Sequence, residues 1–306
     1  MLTAIRAFFA GRGVLEVETP IASRAGVSDP SLEALSTCWH GPGSPTGSPL
    51  FLQTSPELPM KRLLAAGSGP IFQICKVFRD HERGRLHHPE FSLVEWYRLA
   101  WDHRRLMGEV AELVRCALDA PGLPVEEVSY RHLFLDRLGL DPWHSDPDGL
   151  RSAAVGQGIQ GADGLDLGTD GWLDLLLTHC LEATLGRGCM TFVYDYPPSQ
   201  AALAQVRPGP EPVGERFELY VEGMELANGF HELTDADEQR RRFATDIDRR
   251  LASGRPVPPL DQAFLAALDA GIPSAAGVAL GLDRLLMVKT GARHIDQVLA
   301  FPVERA

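Results

Sequence analysis

Apolar runs in this chain are short, and none approaches the ~20 residues needed to cross a bilayer, so no membrane segment is expected. The opening MLTAIRAFFAGRG holds only a brief apolar patch and does not read as a secretory signal. Cysteine is scarce: Cys38, Cys75, Cys116, Cys180 and Cys189 are scattered, and none forms a C-x-x-C pair. That excludes a disulfide framework and a zinc knuckle, and makes a reducing cytoplasm the expected setting. An excess of basic charge is missing too. The 29 Lys and Arg are outnumbered by 41 Asp and Glu, for a net charge of −12. A protein that grips nucleic acid through its phosphates carries the opposite balance. No P-loop signature, repeat or low-complexity tract occurs. An apolar content of 44% and a charged content of 23% are what an ordinary globular protein has, and 306 residues can bury a large core.

Leu2, Ile5 and Phe9 mark an amphipathic helix over 2–9, stopped by Gly11 and Gly13. Val14 to Thr19 read as a strand ended by Pro20, and residues 22–49, containing GPGSPTGSP, as a loop. After a short strand at 50–53, Thr54 or Ser55 caps a helix with Pro56 at its first position and Glu57 in its first turn. Residues 103–118 form a helix with Leu106, Val110, Leu113 and Val114 on one face. Residues 119–172, rich in Gly, Pro and Asp, read as a helical insertion, followed by a helix at 173–185 and a strand at 191–196. Strands at 216–221 and 224–227 flank a Glu222-Gly223 turn. Thr234 and Asp237 suggest a capping box for a helix reaching Leu251. A helix at 261–270, a strand at 277–281 and a terminal helix follow. Consecutive hairpins, rather than alternating β-α-β units, favour an α+β fold: an antiparallel sheet flanked by helices, not a Rossmann unit.

Three segments carry chemistry. IFQICKVFRDHERGRLHHPEFSLVEWYR, residues 71–98, reads as a hairpin. Ile71, Gln73, Cys75, Val77 and Arg79 share one face, as do Phe91, Leu93, Glu95 and Tyr97. Its loop holds Arg79, Arg83, Arg85, His87 and His88. Arg suits an anion because its planar fork gives two parallel hydrogen bonds to phosphate oxygens; a solvated hairpin tip is the plain alternative. His87-His88 lack a third ligand at metal spacing. In MELANGFHELTDA, residues 224–236, Glu225 and Glu232 stand seven apart, with Asn228 between them and Gly229 allowing a turn. Carboxylates of this kind hold Mg²⁺ beside a polyphosphate, bind a substrate ammonium, or sit idle on a surface. In GVALGLDRLLMV, residues 277–288, Arg284 lies in the first helical turn. The dipole there already favours an anion, so the arginine points to a ligand or to an acid partner such as Asp283.

Taken in order, these pieces resemble the class II aminoacyl-tRNA synthetases of the lysyl type over nearly the whole chain. VLEVETP at 14–20 is similar to the first motif, FRDHERGRLHHPEF with LVEWYR to the second, and GVALGLDR to the third. TSPELPMKRLL and ELANGFHELTD look like the lysyl-type amino-acid pocket. The first motif begins at residue 2, so no anticodon-binding domain is expected, and no anticodon-dependent tRNA binding. Residues 1–306 are expected as a single catalytic domain with a helical insertion near 119–190. PPSQAALAQ at 197–205 and Ala279, where lysyl-tRNA synthetases have Gly, point to the free-standing paralogues that act on elongation factor P.

The resemblance implies ATP-dependent activation of lysine or (R)-β-lysine, then acyl transfer to a lysine ε-amine of elongation factor P, by a cytoplasmic homodimer. By motif position, Arg79 meets the α-phosphate and Arg284 the γ-phosphate, with Asp80, His81, His88, Leu226 and Gly281 also at ATP. Glu225 and Glu232 are implied metal ligands for Mg²⁺. Ser55, Pro56, Glu57, Tyr97 and Glu232 are implied to line the amino-acid pocket. The family's F-R-x-E reads Phe78-Arg79-Asp80-His81 here, with Glu82 one residue late, and its H-N-P-E-F reads His87-His88-Pro89-Glu90-Phe91. A small synthetase-like enzyme acting on a free amino acid or tRNA, and a non-catalytic paralogue, are the alternatives.

Overall fold

The computed structural model describes residues 1–306. The chain begins with α1 (Leu2–Ala10), β1 (Leu15–Glu16), β2 (Ala22–Ser23), β3 (Ser36–Gly41), β4 (Ser44–Leu52), α2 (Glu57–Ala65), β5 (Ile71–Phe78) and β6 (Glu90–Leu99). Next come α3 (His103–Leu118), β7 (Val125–Ser129), α4 (Tyr130–Leu138), α5 (Pro147–Gly156) and α6 (Thr169–Leu176). β8 (Met190–Tyr196), β9 (Val206–Arg207), β10 (Val213–Val221) and β11 (Met224–His231) follow. The chain ends with α7 (Ala236–Ala252), α8 (Gln262–Ala270), β12 (Ala275–Gly281) and α9 (Leu282–Thr290). The fold is α+β, as expected, and no helix is long and apolar enough to cross a membrane.

Two compact units result: Met1–Ala100 with Leu233–Ala306, and Trp101–Glu232. In the first, strands run in the order β1-β5-β6-β12. The β5–β6 and β6–β12 pairs are antiparallel, whereas the short β1 runs parallel to β5. Alternation gives this sheet two faces. Phe72 and Trp96 lie on one, where Phe9 of α1 stacks on Phe72 at 4.4 Å and meets Trp96 edge-on at 5.3 Å. Ile5 and Phe9 are fully buried there, while Leu2 is 43% exposed. The other face presents Gln73, Cys75, Glu95, Tyr97 and Ala279. Glu95 pairs with Gln73 on β5 and with Ala279 on β12.

The loop expected over 22–49 is instead a three-stranded sheet, β2-β4-β3. Gly43, at φ 82°, makes the tight turn between β3 and β4, a backbone state that glycine adopts freely. Its Ser, Pro and Gly content hid strands that pairing imposes. The expected strand at 14–19 shrinks to two residues. The helix after Thr54 starts one residue late, with Pro56 as N-cap, yet Ser55 Oγ still accepts from Glu57 N at 3.1 Å.

In the second unit, strands run β11-β10-β8-β7, with β9 paired to β10. β7, inside the expected helical insertion, is a strand parallel to β8. α4, α5 and α6 bury Tyr130, Phe134, Leu150, Trp172 and Leu176 in one core. The helix expected at 173–185 begins earlier, at Thr169, and turns into π- and 3₁₀-helix beyond Leu176. GQGIQG at 156–161 has the spacing of a dinucleotide fingerprint, but it closes α5 rather than following a strand, so it lacks the required context. The turn at Glu222 (φ 52°) and Gly223 (φ 71°) is as expected. β11, however, runs through Gly229, which pairs with Phe217 and makes no turn. Asp235, not Thr234, caps α7 by accepting from Asp237 N and Glu238 N.

Candidate active site

The first unit carries an acid pocket on the open face of its sheet. Tyr97 donates its hydroxyl to Glu95 Oε1 at 2.7 Å, and Ser55 Oγ donates to Oε2 at 2.8 Å. Glu95 is 1% exposed and Tyr97 2%. Burial, and next the charge of Glu57, push the Glu95 carboxyl up to about 7; its two hydrogen bonds act the other way. Lys61, also buried, donates to Glu57 Oε1 at 2.6 Å across one turn of α2. Burial and Glu95 raise the Cys75 thiol to about 12, which leaves it a protonated wall of the pocket. Ser55, Glu57 and Tyr97 are thus brought together as expected. Glu95, which joins them, was legible as a face-mate of Tyr97 but not singled out.

Beside this pocket lies a cationic corner. Arg79 Nε donates to Thr54 O at 3.3 Å, one residue from Ser55, and its guanidinium sits 5.1 Å above the Phe91 ring. Glu82, though one residue late for the family pattern, reaches Arg79 Nη1 at 3.5 Å. His81 takes φ 63° in between. From α9, which Gly281 caps, Arg284 Nη2 lies 2.9 Å from His87 Nε2, and Nε donates to Leu86 O at 3.2 Å. Asp283 fixes the start of α9 by accepting from Ser92 N at 2.6 Å. Desolvation, then the charge of Arg284, lowers the His87 pKa, and Arg79 contributes in the same direction. Arg79, His87 and Arg284 therefore converge on one locus that an anion would satisfy.

His88, expected beside ATP, is tied to the backbone on both sides of its ring. Its ring is 5% exposed, with Nδ1 2.6 Å from Glu90 O and Nε2 accepting from Val303 N at 2.9 Å. Both nitrogens are committed to the backbone, so its side chain is a strut and His87 faces the locus instead. The two adjacent histidines could not be told apart by composition; only their contacts within the loop do that. His81 is exposed and meets only Asp80, at 3.9 Å. Asp80 accepts from His81 N, and its own N–H bonds Glu33 O.

In the second unit, Glu225 opposes Tyr220, and a register shift next to that pair leaves Glu218 opposite Asn228. Arg216 Nη2 donates to Glu218 Oε1 at 2.5 Å, Arg216 Nε to Asn228 Oδ1 at 3.3 Å, and Tyr220 to Glu218 Oε2 at 2.6 Å. Burial lowers the Arg216 pKa, but the charges of Glu218, then Tyr196 and Glu225, outweigh it and leave the pKa raised. Leu226 is buried at the register shift. Glu225 stands at the second position of β11 and Glu232 one residue past its end. Glu232, 1% exposed, sits past the end of β11, where its carbonyl accepts from Gln205 Nε2 at 2.9 Å. The carboxylate that shares a face with Glu225 is Glu218, missed in the sequence although FELYV alternates correctly to reveal it.

No cluster of three His, Cys, Asp or Glu side chains is poised for a metal. Mg²⁺ needs fewer protein ligands, since one or two carboxylates suffice when substrate phosphates complete its octahedron. Glu225 and Glu232 offer that number of carboxylates, whereas both Glu218 oxygens are already taken by Arg216 and Tyr220.

The family model for tRNA synthetases class II (D, K and N) matches residues 1–305. The chain belongs to this family. Relatives named elongation factor P–(R)-β-lysine ligase, from Salmonella typhi, Salmonella arizonae and Salmonella gallinarum, are each 49% identical to it over 306 residues. The match covers 100% of this chain and 94% of each relative. The cationic locus draws on FRDHERGRLHHPEF and GVALGLDR, and the acid pocket on TSPE and LVEWYR.

Proposed function

We propose that the protein is an ATP-dependent aminoacyl ligase that activates (R)-β-lysine, or lysine, and transfers it to a lysine ε-amine of elongation factor P. The observation that carries this reading is the buried Glu95 carboxylate, held by Ser55 and Tyr97 with Glu57 close by. A buried acid on a pocket face calls for an ammonium in place of its lost water, which suits a substrate with two amines and opposes an anionic amino acid such as aspartate. Ala279, directly across from Glu95, narrows that floor by a methyl group relative to glycine. Pro56 aligns Ser55 with the first turn of α2.

In the first half-reaction the amino acid carboxylate attacks the α-phosphorus of ATP, and the bond to the β,γ-pyrophosphate breaks. Arg79 offsets charge developing on the α-phosphate; Arg284 and His87 receive the γ-phosphate. Gly281, Asp80 and the Leu226 backbone flank the nucleotide. Such displacements are accelerated mainly by positioning and charge neutralisation. Glu225 and Glu232 would hold Mg²⁺, which supplies further positive charge to the phosphates, and Glu232 would also serve the amino acid. In the second half-reaction the acceptor ε-amine attacks the acyl carbon, AMP leaves, and an amide remains.

We place the reaction in a cytoplasmic homodimer. Leu2, Leu15 and Ile21, exposed by 43%, 56% and 43% along the first motif, support a covered apolar face there. The direct test is transfer of labelled (R)-β-lysine to purified elongation factor P. An adenylate that forms but never reaches the acceptor protein would refute the transfer step.

A further inference from the structure

The loop between β5 and β6 is held from a side that the reaction does not use. Arg83 grips two carboxylates of the C-terminal segment: Nε and Nη2 donate to Glu304 Oε1 and Oε2 at 2.7 and 3.0 Å, and Nη2 also to Asp296 at 2.9 Å. Two more bonds, each from a backbone N–H of that segment, reach the same loop. Ile295 N donates to Arg85 O at 2.9 Å, and Val303 N donates to His88 Nε2 at 2.9 Å. The segment is anchored beneath by Ile295, which is 2% exposed, and stapled on itself where Gln297 Oε1 accepts from Arg293 N and His294 N.

Between these attachment points the loop presents Leu86 O and His87 Nε2 to Arg284. Residues 83, 85 and 88 thus face the C-terminal segment while 86 and 87 face the phosphate arginine. A single exposed ion pair would contribute little. A forked arginine on two carboxylates, backed by those two bonds, is a network with defined geometry.

We propose that residues 294–304 form a strap that sets the 83–88 loop for ATP, with Arg83 and His88 as positioning residues that never touch the nucleotide. This rests on the ATP reading of the Arg79–His87–Arg284 locus. The strap is bonded to the 83–88 loop, whereas Ser55 and Tyr97 are bonded to Glu95, so its effect falls on the nucleotide.

The test combines steady-state pyrophosphate exchange with hydrogen exchange on the full-length protein. R83Q, a surface change that leaves the core intact, raises KM for ATP about fivefold, the scale of a small ion-pair network, and leaves KM for the amino acid unchanged. R83K recovers part of the loss. D296N/E304Q reproduces the R83Q defect, and combining it with R83Q adds nothing further. Amides of residues 84–88 exchange faster in R83Q. An unchanged KM for ATP, or equal rises for both substrates, overturns the proposal. If the wild-type protein shows no exchange with any lysine isomer, the ligase reading fails by itself; unchanged amide protection at 84–88 in R83Q would separately refute the strap.

Discussion

Glu95 and Tyr97 lie two residues apart on one face of β6, and the tyrosine hydroxyl donates to the buried carboxylate at 2.7 Å. Burial and Glu57 raise that carboxyl to about 7, so in the free protein Glu95 takes up a proton within the neutral range. An ammonium substrate binds the ionised form. kcat/KM for the amino acid is therefore expected to rise with pH through about 7. Glu95→Gln should abolish that rise and lower kcat/KM by about 10² or more, the usual cost of removing one member of a buried charge pair. Folding stability follows the same group. The folded state holds the proton more tightly than the unfolded chain, so the contribution of Glu95 is fully present below its ordinary pKa and is lost as pH rises through 7. Thermal melts with and without (R)-β-lysine across this range check both statements; a flat pH profile would refute the assignment.

Arg79 and Arg284 act on charge that develops during adenylation. Arg79→Ala and Arg284→Ala should each reduce pyrophosphate exchange by about 10²–10³, as loss of a preorganised oxyanion donor does. Far-UV circular dichroism should be unchanged, since both side chains are only half-buried. His87→Ala should raise KM for ATP while His88→Ala lowers thermal stability, because the first faces Arg284 and the second props Val303.

Glu218 is committed to Arg216 and Tyr220, which sets it apart from Glu225 and Glu232, the proposed metal ligands. Glu225→Gln and Glu232→Gln should each raise the Mg²⁺ concentration at half-maximal exchange several-fold. Glu218→Gln should leave that value alone and lower thermal stability. A Mg²⁺ titration of the three variants decides, and an equal metal defect in Glu218→Gln would contradict the separation.

The exposed apolar residues of the first motif give a prediction about assembly. Leu15→Asp should convert the dimer to a monomer in sedimentation velocity, since Leu15 is 56% exposed and its burial in a partner is what the substitution penalises. A wild-type monomer would remove the dimer from the account.

Much of this was legible in the chain. The 71–98 hairpin follows from strict alternation, and with it the pocket face of Glu95 and Tyr97. α3 and α9 follow from apolar spacing and from the glycine that precedes Arg284. What failed has common causes. The β2–β4 sheet is written in Ser, Pro and Gly, which propensity assigns to loops but pairing overrides. β7 is a five-residue strand inside a stretch of helix breakers, visible only once it pairs with β8. His87 and His88 are neighbours in one loop and part only in their contacts, and Glu218 lies one strand before Glu225, so neither was readable from composition.

The most direct measurement is ATP–pyrophosphate exchange driven in parallel by (R)-β-lysine, α-lysine and aspartate. The account predicts saturable exchange with (R)-β-lysine, weaker exchange with α-lysine and none with aspartate. Exchange driven by aspartate, or none with either lysine isomer, would contradict it.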